Sequence, residues 1–186
     1  IPSLSKGGAE RITVDICNTL VAKGHKVMLL SMSEVNAYSF IQFQFEFRQT
    51  YSTVVPSITG KSIVETDDYE QILDEFQPEI IHSHLFLAEM LTRYKPRKGI
   101  RYFTHLHDNM PQFEALSFSK LNKQKITNYF EKQIMLKRYT QCNNSFVAIS
   151  KDAFDYFYTN LNTKLKNRIH LLHNAIDYHR FYRGLR

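Results

Sequence analysis

The sequence has little cysteine and no long hydrophobic run. Its two cysteines, Cys17 and Cys142, stand far apart and fit no metal-ligand or redox spacing. A disulfide framework is thereby excluded as the support of the fold. Both read as small buried hydrophobes, and a reducing compartment suits them. No apolar stretch reaches the roughly 18 residues of a membrane-spanning helix. No secretory signal is visible in the residues present, so the sequon Asn143-Asn144-Ser145 carries no weight. Internal repeats, low-complexity linkers and RNA-binding signatures are missing too.

What is present is a globular composition, 43% hydrophobic and 23% charged, over 186 residues. That length suits one well-buried domain and is short for two. The net charge of +6 is unevenly spread: residues 101–186 hold 14 basic and 6 acidic side chains, residues 1–100 hold 10 and 12. The second half therefore suits an anionic surface or ligand better than the first.

The chain is organised around its opening, Ile1-Pro2-Ser3-Leu4-Ser5-Lys6-Gly7-Gly8-Ala9-Glu10-Arg11. An apolar start, a polar loop, two glycines and a helical pattern read as strand end, turn and helix start. Paired glycines permit positive φ and a close ligand approach. The helix N-terminus behind them favours an anion. The loop is neither G-x-G-x-x-G nor a P-loop, and a plain strand–helix turn reads it equally well. If Ile1-Pro2 ends a strand, most of that strand lies outside the sequence.

Ala9 to Lys23 has a helical stripe of Ala9, Ile12, Ile16 and Leu20, stopped by Gly24. Lys26–Leu30 reads as a buried strand. Phe43, Phe45 and Phe47 alternate with polar residues, as an edge strand would. Residues 60–66 read as loop. Asp67 or Asp68 caps a helix to Phe76, stopped by Pro78. Glu79–His84 is a strand and Leu87–Tyr94 a helix. Arg101–Thr104 is a strand running into His105-Leu106-His107-Asp108-Asn109. Residues 120–139 form a long helix with Ile126, Phe130 and Ile134 on one face and Lys123, Lys125, Lys132 and Lys137 elsewhere. Ser145–Ile149 and Arg168–Leu172 are strands flanking a helix over Lys151–Tyr158, with Ser150 as its cap. The alternation predicts an α/β domain: a Rossmann-like, doubly wound, mostly parallel sheet with helices on both faces. Ligands then bind at the carboxyl ends of the strands, at Ser3–Gly8, His82–His84, His105–Asn109, Ser150-Lys151 and His173–Asp177.

Two His-x-His pairs, His82/His84 and His105/His107, fall at strand ends, where residues two apart share a side. They suggest a histidine-rich metal site of a hydrolase with Asp108 as a further ligand. The plainer reading is two core histidines plus a functional His107 beside Asp108, able to hydrogen-bond a hydroxyl or phosphate or to transfer a proton. A third reading is a non-catalytic anion-binding module acting through the basic second half, although the basic helix is also an ordinary solvated face.

Taken jointly, several segments resemble the family 4 glycosyltransferases. They are Pro2–Arg11, Leu20–Val27, Pro78-Glu79-Ile80-Ile81-His82-Ser83-His84, His105-Leu106-His107-Asp108, Phe146–Lys151, and His173-Asn174-Ala175-Ile176-Asp177 with Phe181 beyond. The resemblance implies the N-terminal half of a GT-B fold, in which two Rossmann-like domains face each other across a cleft. It implies transfer of a sugar from a nucleotide-diphospho-sugar to an acceptor hydroxyl with retention of anomeric configuration. No cofactor or metal ion is required. The setting implied is glycan, polysaccharide or glycolipid synthesis.

On that resemblance, residues 1–177 form the acceptor-side domain and 178–186 begin an interdomain linker. The nucleotide-sugar domain is absent, so the chain alone is expected to be inactive. His107 and Asp108 take the catalytic positions. Gly7, Gly8, His84, Ser150, Lys151 and Asn174 take donor- and acceptor-binding positions, with no metal ligand. The partners implied are the nucleotide sugar, a glycan or glycolipid acceptor and the chain's own C-terminal domain, but no nucleic acid. The expected location is cytoplasmic, with peripheral contact at the inner membrane face through residues 120–139 as a variant of it. Two departures stand out. Ala175 replaces the family's glycine, and His105 stands where a threonine or valine is usual, which keeps the metal alternative open.

Overall fold

The computed structural model describes residues 1–40, 42–59, 61–114 and 122–175. The proposed linker 178–186, together with Ile176, Asp177, Phe181 and the start of the basic helix at 120–121, lies outside them.

Four parallel strands form the main sheet in sequence order: β5 (Ile80–His84), β6 (Arg101–Leu106), β7 (Asn143–Ala148) and β8 (Ile169–Leu171). A second parallel pair joins β1 (Met28–Ser31) to β2 (Glu46–Gln49). The opening segment lies alongside β1. The Ile1 ammonium donates to Leu30 O, Met32 N–H donates to Ile1 O, and Leu4 bridges in parallel to Asn36. Among the described residues no strand precedes the first helix, so the expected strand end is present only as this bridged, extended segment. It runs into α1 (Gly8–Ala22), with Gly24 at φ 87° just beyond the helix end.

The helices are α2 (Asp67–Phe76), α3 (Phe86–Thr92), α4 (Lys123–Gln141), α5 (Lys151–Asn160) and the short α6 (Thr163–Lys166). Helices cover both faces of β1. Leu29 packs with Val14 and Cys17 of α1, whereas Leu30 packs against the cluster of Tyr69, Leu73 and Leu91 from α2 and α3. The largest core lies on one side of the main sheet. There Leu106, Phe146, Ala148 and Ile169 meet Met90, Met135, Tyr139, Phe157 and Leu165. The fold is thus mixed α/β with a mostly parallel sheet.

The sequence pattern misplaced several features. Residues 63–65 are not loop: β4 (Ile63–Glu65) pairs antiparallel with β3 (Thr53–Val55), which no periodicity announced over three residues. Gly60 lies outside the described residues. Neither Asp67 nor Asp68 caps α2. Thr66 occupies the cap position, and Asp68 instead accepts from Thr50 Oγ1 at 2.5 Å and Tyr51 N at 3.1 Å. In α1 the buried residues are Glu10, Thr13, Val14 and Cys17, while Ile16 and Leu20 face a groove of about 600 Å³ between α1, β1 and β5.

In α4 the buried side chains are Asn128, Met135 and Tyr139, not Ile126, Phe130 and Ile134. The cause is polar pairing. Asn128 donates to Pro111 O at 3.2 Å and Lys132 Nζ to Phe113 O at 3.0 Å, so the packed face carries polar groups with partners waiting. Lys132 is therefore a structural cation rather than part of an outward basic face.

Both cysteines are free, and burial pushes the Cys17 thiol up to about 12.

Candidate functional site

The four histidines of the two His-x-His pairs converge. His84 and His105 are register partners on β5 and β6. Because side chains alternate along a strand, His82, His84, His105 and His107 project on the same side. β6 runs two residues further than expected, so His105 lies inside the strand and His107 just past its end.

The rings stack: His105 and His107 lie 4.4 Å apart at 12°, His84 and His105 4.8 Å at 21°, His82 and His105 5.1 Å at 19°. Two hydrogen bonds tie them, His84 Nδ1 to His107 Nε2 at 2.8 Å and His105 Nδ1 to His82 Nε2 at 3.0 Å. Each needs one protonated and one lone-pair nitrogen, so neutral rings suffice.

Electrostatics keep them neutral. Burial, with repulsion from neighbouring imidazoles and Arg93, lowers His82 to about 3, and burial carries His84 well below its ordinary value. Burial lowers His105 to about 4, with Asn174 opposing the shift. Burial and then His105 bring His107 to about 4 as well. At neutral pH His107 can donate or accept a hydrogen bond but carries no charge. A proton-transfer catalyst works best with a pKa near the working pH, so hydrogen bonding is the chemistry this position suits.

Leu85 follows His84 with φ 69° and ψ 154°. That conformation is strained for a branched, bulky residue and is held by its surroundings. It turns the chain from β5 into α3 directly behind the histidine. Among the described residues, positive φ outside glycine occurs only here and at Gln77, so the turn at Ala175 does not use it. The alanine in place of a glycine imposes no such strain.

The glycine loop has a different basis from the one expected. Gly7 is extended, with φ −168°, and Gly8 is not at positive φ. A Cβ on Gly7 would instead collide with the carboxylate of Glu10. That buried carboxylate accepts from Ser5 Oγ at 3.1 Å. Tyr38 OH donates to Gly7 O at 2.8 Å and accepts from Gly7 N at 3.3 Å. Neither Glu10 nor Tyr38 was visible as a site residue in the sequence. The glutamate already supplies negative charge at the start of α1, so this loop is a clamped turn before it is an anion cradle.

The remaining candidates lie around the histidines without forming one cluster. Asp108 is exposed and helps raise the Tyr156 phenol. Its neighbour Asn109 donates to Asp152 Oδ2 at 2.9 Å, linking the end of β6 to α5. Ser150 caps α5, accepting from Ala153 N at 3.1 Å. Lys151 is exposed and pairs with Asp155 one turn on, at 2.7 Å. Asn174 is exposed and stands beside His105 without closing a hydrogen bond to its Nε2.

Sequence reading also missed a buried network on the opposite side of β5 and β6. Arg93 donates to Asn144 Oδ1 at 3.0 and 3.1 Å, to Phe103 O at 2.9 Å, and to Thr92, Thr104 and Ser83. Glu89 accepts from Tyr139 OH and from Thr104 Oγ1. The one available signal was Glu89 and Arg93, four apart in an otherwise apolar helix.

The family model for Glycosyltransferase Family 4 matches residues 6–180 of this chain. No curated protein matches it.

Proposed function

The chain belongs to the family 4 glycosyltransferases, and from that premise we propose that it is the acceptor-side domain of a retaining transferase. The donor is a nucleotide-diphospho-sugar and the acceptor a hydroxyl of a glycan or glycolipid. The observation that carries this reading is the neutral His84–His107 pair, bonded at 2.8 Å at the carboxyl edge of parallel strands. In parallel α/β sheets that edge is where ligands bind.

His107 is the proposed catalytic contact. Departure of a nucleotide diphosphate spreads negative charge over the leaving group while the sugar becomes electron-poor. A fixed donor aimed at the sugar hydroxyls or the phosphate lowers that barrier without itself carrying charge. The bond to His84 fixes the ring and leaves the other nitrogen of His107 for substrate. Asp108, exposed at the strand end, orients the same region. Gly7 and Gly8, with Ser150, Lys151 and Asn174, complete the proposed rim. A second, nucleotide-binding domain supplies most donor contacts, with residues 178–186 leading towards it, so residues 1–177 alone turn nothing over. No metal ion or cofactor takes part in the transfer.

Polysaccharide or glycolipid synthesis on the cytoplasmic side of a membrane fits the outward face of α4. Ile126 is 46% exposed and Tyr129 48% exposed, between Lys123, Lys125 and Lys137. Among the described residues no helix is long and apolar enough to cross a membrane.

The test is His107→Ala in the full-length enzyme with its sugar nucleotide. Losing a transition-state contact lowers kcat/KM by roughly tenfold or more. A change within about twofold, or turnover by residues 1–177 alone, refutes the assignment.

A further inference from the structure

We propose that the stacked histidines bind one borderline divalent transition-metal ion, such as Zn²⁺, through His82, His84 and His105. Each residue offers one ring nitrogen, and the three nitrogens lie within 4.8 Å of one another. Tetrahedral zinc with bonds of about 2.0–2.1 Å holds its nitrogen ligands roughly 3.4 Å apart. Small side-chain rotations close the remaining distance.

The second observation is independent of the spacing. Among the described residues no hydrogen bond closes onto the buried His105 Nε2, with Asn174 standing near it, and the residue is only 3% exposed. A buried polar atom left unpaired is costly, and a ligand is one of the few things that relieves it. Its other nitrogen is bonded to His82 at 3.0 Å, so with the proton on Nδ1 the Nε2 lone pair is free; binding of the ion opens that bond and releases the lone pair of His82 as the further ligand. His107 holds Nδ1 of His84 at 2.8 Å, fixing that ring and leaving its Nε2 uncommitted.

The donor set selects the ion. Three imidazoles with no carboxylate among them suit zinc, copper or nickel, and are poor ligands for magnesium, calcium or manganese. The positive Arg93 on the far side of the strands works against the ion, so binding weaker than at a structural zinc centre is expected. The site shares His84 with the proposed transfer site, but binding of the ion itself needs no nucleotide, no acceptor and no second domain.

The experiment titrates the purified metal-free chain with Zn²⁺ and with Co²⁺. It follows heat, the visible cobalt spectrum and the ¹⁵N shifts of the imidazole nitrogens. The expected result is one ion per chain, a tetrahedral cobalt spectrum, and metal-induced shifts confined to His82, His84 and His105. His105→Phe abolishes binding while the metal-free chain stays folded with a Tm near wild type, since it deletes the unpaired Nε2 but also the bond to His82. His82→Gln abolishes binding as well. Absence of saturable binding overturns the proposal. So does binding that survives His105→Phe, or shifts that fall on the exposed His25, His170 and His173 instead. Magnesium serves as the ion expected not to bind.

Discussion

Strands β5 and β6 carry polar groups on both sides, and the two sides are built on opposite rules. On one, Arg93 directs its donors into Ser83, Thr92, Thr104, Phe103 O and Asn144, with neither Arg93 nor Glu89 reached by solvent. On the other, four imidazoles satisfy each other in two pairs and leave a ring nitrogen unused at His105. The first arrangement commits the donors of Arg93 to fixed partners within the fold, although Glu89 Oε1 stays buried without one. The second keeps capacity in reserve at the end of the sheet where ligands arrive. Burial and an unpaired atom do not by themselves mark a functional group, since both sides have them; what separates the sides is that one holds a charge among fixed partners and the other holds neutral rings at the ligand-bearing end of the sheet.

If that contrast is right, the ionic side is where stability is lost. Arg93→Met removes the guanidinium and leaves Glu89, Asn144 and Ser83 buried with missing partners. Breaking a buried charged network in this way costs roughly 3–5 kcal/mol. Urea unfolding of the variant measures it, and a loss below about 1 kcal/mol would mean the network holds nothing.

Glu89→Gln comes next, through its pH dependence. Burial raises the Glu89 carboxyl from 4.5 to about 7, against the pull of Arg93, Tyr139 and Thr104. Between those values the folded chain keeps a proton that the unfolded chain releases. The stability this group contributes is therefore complete below pH 4.5 and is lost as pH rises towards 7. At its steepest the slope is about 1.4 kcal/mol per pH unit. Glutamine has no such slope, so the variant gains on wild type as pH rises through the window. A stability difference that stays constant with pH would show that Glu89 titrates normally.

These two sides were unequally legible in the sequence. His82, His84, His105 and His107 were readable because period-two spacing at strand ends assigns a common side before any coordinates exist. The strands of the main sheet were readable as short apolar runs separated by helical patterns, whereas the β3–β4 pair was not. The Arg93 network was not, since Asn144 lies 51 residues away and reaches it only through the parallel register of β6 and β7. The glycine loop was found for a partly mistaken reason. Gly7 does not use positive φ; a Cβ there would have to displace only the Glu10 carboxylate, the end of a flexible side chain. The packed face of α4 was misread because Asn128 and Lys132 bury polar groups against the carbonyls of Pro111 and Phe113, a pairing that periodicity does not register.

On the imidazole side, removal should be cheaper for the fold. His107 is only half-buried, and among the described residues its hydrogen bond is to another neutral ring. His107→Ala leaves His84 Nδ1 without its partner and is expected to cost about 1–3 kcal/mol of unfolding stability, less than Arg93→Met, while the same variant in the full-length enzyme loses about tenfold or more in kcat/KM. A loss of stability matching that of Arg93→Met would erase the distinction between the sides and make His107 a structural residue.

The smallest effect tests the joint between them. Leu85 links His84, on the imidazole side, to α3, which carries Glu89 and Arg93 on the ionic side. Its φ of 69° suits glycine and strains leucine or alanine. In an ordinary extended or helical position alanine is more stable than glycine by roughly 0.5–1 kcal/mol, because glycine gains more freedom on unfolding. At Leu85 the order should invert: Leu85→Ala keeps the strain and loses the half-buried side chain, whereas Leu85→Gly loses the same contacts and relieves the strain. Paired urea curves for the two variants decide it. Glycine above alanine, by about 1 kcal/mol, means that the backbone turn holding His84 is under load. Alanine above glycine would mean that the turn relaxes freely, and that His84 is positioned by its ring contacts alone.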